Sequence, residues 1–207
     1  MTTLIAICGW IGSGKGTVSD ILVEHYGYTK ISFADSLKDS VAAIFGWPRH
    51  LLEGDTVESR QWREQIDPWW AQRLGIKELS PRWVLQHLGT NTLRHHFHQD
   101  IWLASFENKL RNIDTPVVVP DCRFTNEIAS IHQHQGNIWW IRRRPNPVWF
   151  DEAERTKTEL RSLMTYKYHT VHVSEWAWVG AKFDHVIENE GSIEDLKLTV
   201  GRLLMPL

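Results

Sequence analysis

Residues 9–17, GWIGSGKGT, are the part of the chain best suited to chemistry. Gly9, Gly14 and Lys15 fit G-x-x-x-x-G-K, in which a glycine-rich turn curves backbone N–H groups around phosphate oxygens and a lysine adds a mobile positive charge. Gly9, Gly12, Ser13, Gly14, Lys15, Gly16 and Thr17 are the candidate triphosphate-binding residues. The positive end of the helix expected from about Thr17 would add to the attraction. Gly16 stands where the pattern usually has Ser or Thr, and the hydroxyl follows at Thr17. Thr17 is therefore the candidate to direct an oxygen to phosphate or to Mg²⁺. The plain alternative is a glycine-rich strand–turn–helix that binds nothing.

Phosphoryl transfer needs positioning and positive charge around the moving phosphate, with little covalent help from the protein. Asp121 ends the apolar run VVVPD and suits a role in holding Mg²⁺, directly or through water; capping the next turn is its alternative. Arg123, two residues on, would face the same crevice. Ser80 and Pro81 have the types expected at the N-cap and first position of a helix. Arg82, Gln86 and Gly89 would then share a face able to meet a phosphate and a base edge, unless that face is merely solvated. Arg94 could add a phosphate contact, and Asp100 could cap a helix. Arg142, Arg143 and Arg144 follow a predicted strand, where one or two guanidinium groups could neutralise a transferring phosphate. Asn189, after the last predicted strand, is the candidate adenine contact, with a simple N-E-G-S turn as the alternative. His172, Ser174 and Glu175 lack a nucleophile elbow and are read as an ordering element. Of the 12 tryptophans most are expected to pack, and only Trp69 and Trp70 are candidates for ligand contact.

The elements that must position these groups alternate. Strand-like runs are Leu4–Cys8, Lys30–Ala34, Val117–Asp121, Asn137–Arg142 and His185–Glu188, and helical patterns separate most of them. That order predicts an α/β fold with a five-stranded parallel sheet flanked by helices, three layers in all, with ligands beyond the carboxyl ends of the strands. Thr125 is expected to cap a helix through about Gln135. Ser192 with Asp195 resembles a capping box that starts a terminal helix. Residues 46–80 and 143–183 break the alternation and are read as an acceptor-side and a lid-like insertion within one domain, 1–207, that cover the crevice.

The chain has 207 residues, 42% hydrophobic, and a formal net charge of −2. This balance gives no global basic field of the kind that marks nucleic-acid binders and suits small anionic ligands held by local arginines. No apolar run approaches a membrane span, and the N-terminus lacks a signal-peptide layout, so a cytoplasmic protein is expected. Cys8 and Cys122 both end apolar runs and are expected to be buried thiols. The histidines at 95, 96 and 98 and at 132 and 134 are read as solvated rather than as zinc ligands. A homodimer is left open.

The G-K-G-T order is also found in nucleoside monophosphate kinases such as adenylate kinase. Further segments follow in series: F-A-D-S-L-K at 33–38, L-Q-H-L-G-T at 85–90, D-I-W at 100–102, P-D-C-R-F-T-N-E at 120–127, H-V-S-E at 172–175 and N-E-G-S at 189–192. In this order the chain resembles the phage deoxynucleoside monophosphate kinases. The resemblance implies a P-loop kinase fold and transfer of the ATP γ-phosphate, with Mg²⁺, to a deoxynucleoside monophosphate. It puts Lys15 and Thr17 at the ATP phosphates, Asp35 and Lys38 near the acceptor, and Arg82 and Gln86 at the acceptor site. Asp121, Arg123 and Glu127 would line the central crevice, with Glu127 on the substrate, and Arg142 or Arg144 would act from the lid. Residues 46–80 and 145–170 match the family poorly, which leaves the acceptor open.

Three functions compete. The first is a kinase of free deoxynucleotides. The second keeps the chemistry but phosphorylates a hydroxymethylated base in phage DNA, with Trp62, Trp69 and Trp70 stacking on the base. The third is a non-enzymatic ATP-dependent switch with tryptophans on a partner surface.

Overall fold

In a computed structural model, residues 4–155, 164 and 166–205 are described. They fall into two compact units: residues 1–32 with 112–207, and residues 33–111. The expected 46–80 insertion lies within the second unit and 143–183 within the first.

The first unit is an α/β sheet. Its strands are β1 (Leu4–Cys8), β2 (Thr29–Lys30), β3 (Val117–Val119), β4 (Asn137–Arg142) and β5 (His185–Glu188), in the order β2-β3-β1-β4-β5. Every pair is parallel, with β1 in the centre: Leu4 lies opposite Val117 on one side, and Cys8 opposite Trp140 on the other. β1 is buried along its whole length, which is why it reads as an unbroken apolar run rather than an alternation. Side chains alternate between the two faces of a strand. Ile5 and Ile7 pack with Val18, Ile21 and Leu22 of α1 (Lys15–Tyr26) and with Leu196 and Val200 of the C-terminal helix, Ile193–Leu204. Leu4, two residues away from Ala6, points to the opposite face, where the helix Thr125–Gln133 carries buried Ile128 and Ile131.

From β1 the chain runs out to β2, returns to β3 and then crosses over to β4 and β5, so the carboxyl end of β1 stands where the strand order reverses, the place at which open α/β sheets have their ligand crevice.

Two strands differ from expectation. β2 is two residues long, because after Ile31 donates its N–H to Val118 O (3.1 Å) the chain leaves the ladder and enters the helix α2 (Asp35–Phe45). β3 ends at Val119, since Pro120 has no N–H with which to continue the ladder.

The second unit is helical. It comprises α2, α3 (Val57–Glu64), α4 (Pro68–Leu74), α5 (Pro81–Gln86), a π-helical stretch His87–Phe97 and α6 (Ile101–Leu110). Leu37, Val41, Trp47, Leu52, Leu79, Val84 and Trp102 form its own core. Asp67 locks α4 to that core: its Oδ1 accepts the N–H groups of Trp69 and Trp70 at 3.1 Å each, and its Oδ2 accepts Trp47 Nε1–H at 2.8 Å. Among the described residues, no helix is long and apolar enough to cross a membrane. Helix numbering continues as α7 (Thr125–Gln133), α8 (Phe150–Arg155) and α9 (Ile193–Leu204).

Candidate active site

The loop after β1 closes on itself before α1 begins, with Ser13 N–H donating to Trp10 O at 3.2 Å. Gly14 caps the helix at φ 105°, a left-handed angle that a side chain rarely adopts. A Cβ there would also run into Asn189 Nδ2. Gly9 is equally confined: a Cβ would lie 2.6 Å from Ile141 O. Gly16 differs, with an ordinary φ and open space where its Cβ would stand. The loop thus needs glycine at 9 and 14 to fold, whereas nothing in the protein itself requires glycine at 16.

α1 starts at Lys15, two residues before the expected point, so Lys15 sits in the first turn. Its Nζ donates to Gly9 O at 2.7 Å and Trp10 O at 2.9 Å. Burial, and after it the charge of Arg123, lowers its pKa from 10.5 to about 8; Glu175, Cys8 and Asp121 pull the other way. A buried ammonium beside a guanidinium is a site waiting for negative charge.

Four strand ends supply the rest. Asp121, after β3, accepts a short hydrogen bond from Ser32, which follows β2. Ser32 was not anticipated. Its signal lies in topology, because β2 and β3 are adjacent and parallel, so the residues after both emerge together. Arg123 lies on the same turn and places Nη1 2.6 Å from Glu175 Oε1. Glu127, expected on the substrate, is 2% exposed and spends Oε2 on the backbone N–H groups of Arg123 (2.8 Å) and Phe124 (3.0 Å). It braces the turn that carries Arg123. Glu127 also does the capping expected of Thr125, which is instead the first residue of α7.

Asn189, expected at adenine, instead donates Nδ2–H to Ser13 O at 2.8 Å, and its backbone N–H reaches Arg142 O at 2.7 Å. It holds the phosphate loop against the end of β5. Arg142 and Arg144 turn to Glu188 and Glu190, each at 3.4 Å. Arg123, not these two, is the arginine whose charge Lys15 feels. Cys8 and Cys122 are buried free thiols, and burial, then Cys8, pushes the Cys122 thiol well up.

An aromatic group backs the loop. Trp10, 5% exposed, stacks on Trp178 with centroids 6.4 Å apart and meets Phe150 edge-on at 5.5 Å.

In the second unit, Ser80 caps α5 through Trp83 N–H at 3.2 Å, as its type predicts. Arg82 and Gln86 line an open cleft of about 440 Å³ with Glu64, Ile66, Lys77, Glu78, Ser80 and Trp83. Arg82 Nη1 is 3.3 Å from Glu64 Oε1. Gly89 does not share that face: it lies beyond the switch from α to π winding, which changes the residue spacing, and it is buried where a Cβ would stand 2.6 Å from Leu37 Cδ2. Lys38, nearly buried, pairs with Glu53 at 2.7 Å. Arg49, unanticipated, bonds Glu53, Asp39 (2.6 Å) and Asp35 (3.3 Å). Burial alone would raise the Glu53 pKa, but Lys38 and Arg49 outweigh it and hold the carboxyl low.

The candidate stacking rings divide. Trp70 donates Nε1–H to Phe45 O at 3.1 Å and packs edge-on to Phe45, and Trp62 packs edge-on to Trp47. Trp69 alone of the three is well exposed, at 61%. Packing of Trp62 and Trp70 does not favour a DNA-base acceptor.

No protein-family model matches the chain. It is 29% identical over 177 residues to a protein of Acanthamoeba polyphaga mimivirus provisionally named a deoxynucleotide monophosphate kinase, covering 79% of this chain and 84% of that one. It is 26% identical over 176 residues to the deoxynucleoside-5′-monophosphate kinase of Escherichia phage T5, covering 61% of this chain and 70% of that one. Among solved structures it is similar to a dephospho-CoA kinase from Campylobacter jejuni, at 15% identity and a TM-score of 0.49, covering 99% and 96% of the two chains. By sequence, this phosphate-loop α/β protein is a homologue of viral proteins named as deoxynucleotide or deoxynucleoside monophosphate kinases.

Proposed function

We propose that the chain is an ATP-dependent kinase that moves the γ-phosphate to a deoxynucleoside 5′-monophosphate, as the names of its viral homologues suggest. The observation that carries the reading is the buried Lys15 ammonium, held in the first turn of α1 with Arg123 and Asp121 as its charged neighbours. Triphosphate oxygens would accept from the N–H groups of residues 12–17, and Lys15 would leave the loop carbonyls for the β- and γ-phosphates. Arg123, rather than Arg142 or Arg144, supplies the guanidinium for charge that develops on the transferring group.

The donor set also suits Mg²⁺, a hard cation bound by few carboxylates together with substrate phosphates. Thr17, whose hydroxyl makes no hydrogen bond among the described residues, and Asp121, held in place by Ser32, would hold it. When bound, the ion would neutralise charge on the β- and γ-phosphates.

The acceptor falls to the second unit. Arg82 would exchange Glu64 for the acceptor phosphate, and Gln86, on the same side of α5, would read a base edge. Asp35 and Lys38 stand in the network around Glu53 and would position the acceptor rather than react. Residues 46–80 would contribute to the acceptor-binding region, and residues 172–178, within the 143–183 insertion, would wall the phosphate loop.

A phosphorylation screen with ATP and Mg²⁺ tests the proposal. At least one deoxynucleoside monophosphate should become a diphosphate, and Lys15→Ala should abolish the product. Label appearing only in hydroxymethylated DNA, or only slow ATP hydrolysis with every acceptor, would overturn it.

A further inference from the structure

Arg123 is long and flexible, and its use to a moving phosphate depends on where its guanidinium is held. The turn Val173–Glu175 is built to hold it. His172 caps this turn: its Nδ1 accepts the N–H of Ser174 at 3.3 Å and lies 2.9 Å from Ser174 Oγ. Ser174 Oγ then stands 3.5 Å from Arg123 Nη1, and Glu175 Oε1 stands 2.6 Å from the same nitrogen. At the other end of the residue, Glu127 fixes the Arg123 backbone N–H.

The turn is itself anchored. Trp176 and Trp178, which follow it, are buried, and Trp178 stacks on Trp10 inside the phosphate loop. The segment 172–178 is therefore tied to the loop through aromatic packing and to the β3 side of the crevice through an ion pair. It behaves as a wall of the site.

From this we infer that Glu175, oriented by Ser174 and His172, is the positioning residue for Arg123 and sets where that guanidinium meets the transferring phosphate. The inference rests on the proposed kinase activity. An ion pair half-open to solvent adds little to folding, so the role of Glu175 is geometric. The carboxylate also offsets the repulsion between two cations: Arg123 disfavours the charged form of Lys15, and Glu175 favours it.

Kinetics of Glu175→Gln, Arg123→Ala and the double variant, with the acceptor that the wild type uses, test this. Glu175→Gln should lower kcat about 10- to 100-fold while the ATP KM stays within about threefold, and the double variant should be no slower than Arg123→Ala alone. A wild-type kcat in Glu175→Gln, or losses that multiply in the double variant, would overturn the assignment. Nitrogen-15 NMR of the arginine side chains in the nucleotide-free protein gives a readout independent of turnover. The Arg123 guanidinium, identified by its loss in Arg123→Ala, should show slowed Nη–H exchange that Glu175→Gln abolishes. Unchanged exchange overturns the pairing even if every nucleotide proves inert, whereas an inert wild type with the expected NMR change refutes only the kinase reading. If Glu175→Gln does not fold, Glu175→Asp, too short to reach Arg123, serves in its place.

Discussion

Lys15 should make the nucleotide-free protein less stable at neutral pH than it would be without the charge. Burial and Arg123 lower its pKa from 10.5 to about 8. At about 1.36 kcal/mol per pH unit, the folded state carries a penalty of about 3 kcal/mol for keeping this ammonium charged. That is a large share of the roughly 5–15 kcal/mol by which domains are stable. Below pH 8 both folded and unfolded chains hold the proton, and the penalty is complete. Between 8 and 10.5 the folded chain has released it while the unfolded chain keeps it, so stability rises with pH; above 10.5 the penalty is gone. Lys15→Met removes the titration, although it also loses the hydrogen bonds to Gly9 O and Trp10 O. Those bonds shift the variant's curve by a constant and leave its slope to the groups common to both proteins. Urea unfolding of both proteins at pH 7, 8, 9 and 10 should show the wild type gaining on Lys15→Met by about 2–3 kcal/mol across the series. With saturating ATP and Mg²⁺ the gain should vanish or reverse, because phosphates favour the charged lysine. Parallel curves without nucleotide would refute the claim that Lys15 is buried charged and short of a counter-charge.

The two helix-start glycines should separate fold from ligand. Gly14→Ala should cost about 1–3 kcal/mol in urea unfolding, from its left-handed φ and the clash with Asn189. Gly16→Ala should add about 0.5–1 kcal/mol, since it meets open space at a helical position, so any rise in its ATP KM measures how near a phosphate comes to that residue. Arg82→Ala should raise the acceptor KM about tenfold, the worth of one charged hydrogen bond, with the ATP KM unchanged. Trp10→Ala should lower stability by about 3–5 kcal/mol by emptying the ring cluster behind the loop, measured by denaturant midpoint.

Local chemistry was legible from residues alone. β1, β4 and β5 run where their apolar patterns put them, and Ser80 and Ser192 cap their helices, because each feature depends on a few neighbouring residues. The phosphate loop is only partly local: Gly9, Gly12 and Gly14 take positive φ angles of their own, but Ile141 of β4 and Asn189 after β5 also confine Gly9 and Gly14. What the residues near a position could not reveal is how side chains divide their bonds once distant segments meet. Asn189 reaches Ser13 across 176 residues, Ser32 reaches Asp121 across 89, and Glu175 reaches Arg123 across 52. Parallel strands make this unavoidable, since they gather at one edge of the sheet the ends of segments far apart in the chain. By itself the sequence determined that a glycine-rich turn would bring Lys15 to the head of α1. Only the tertiary structure decided which arginine faces the lysine there, that Glu127 and Asn189 brace the site, and that Trp10, Trp140 and Trp178 pack together behind the loop.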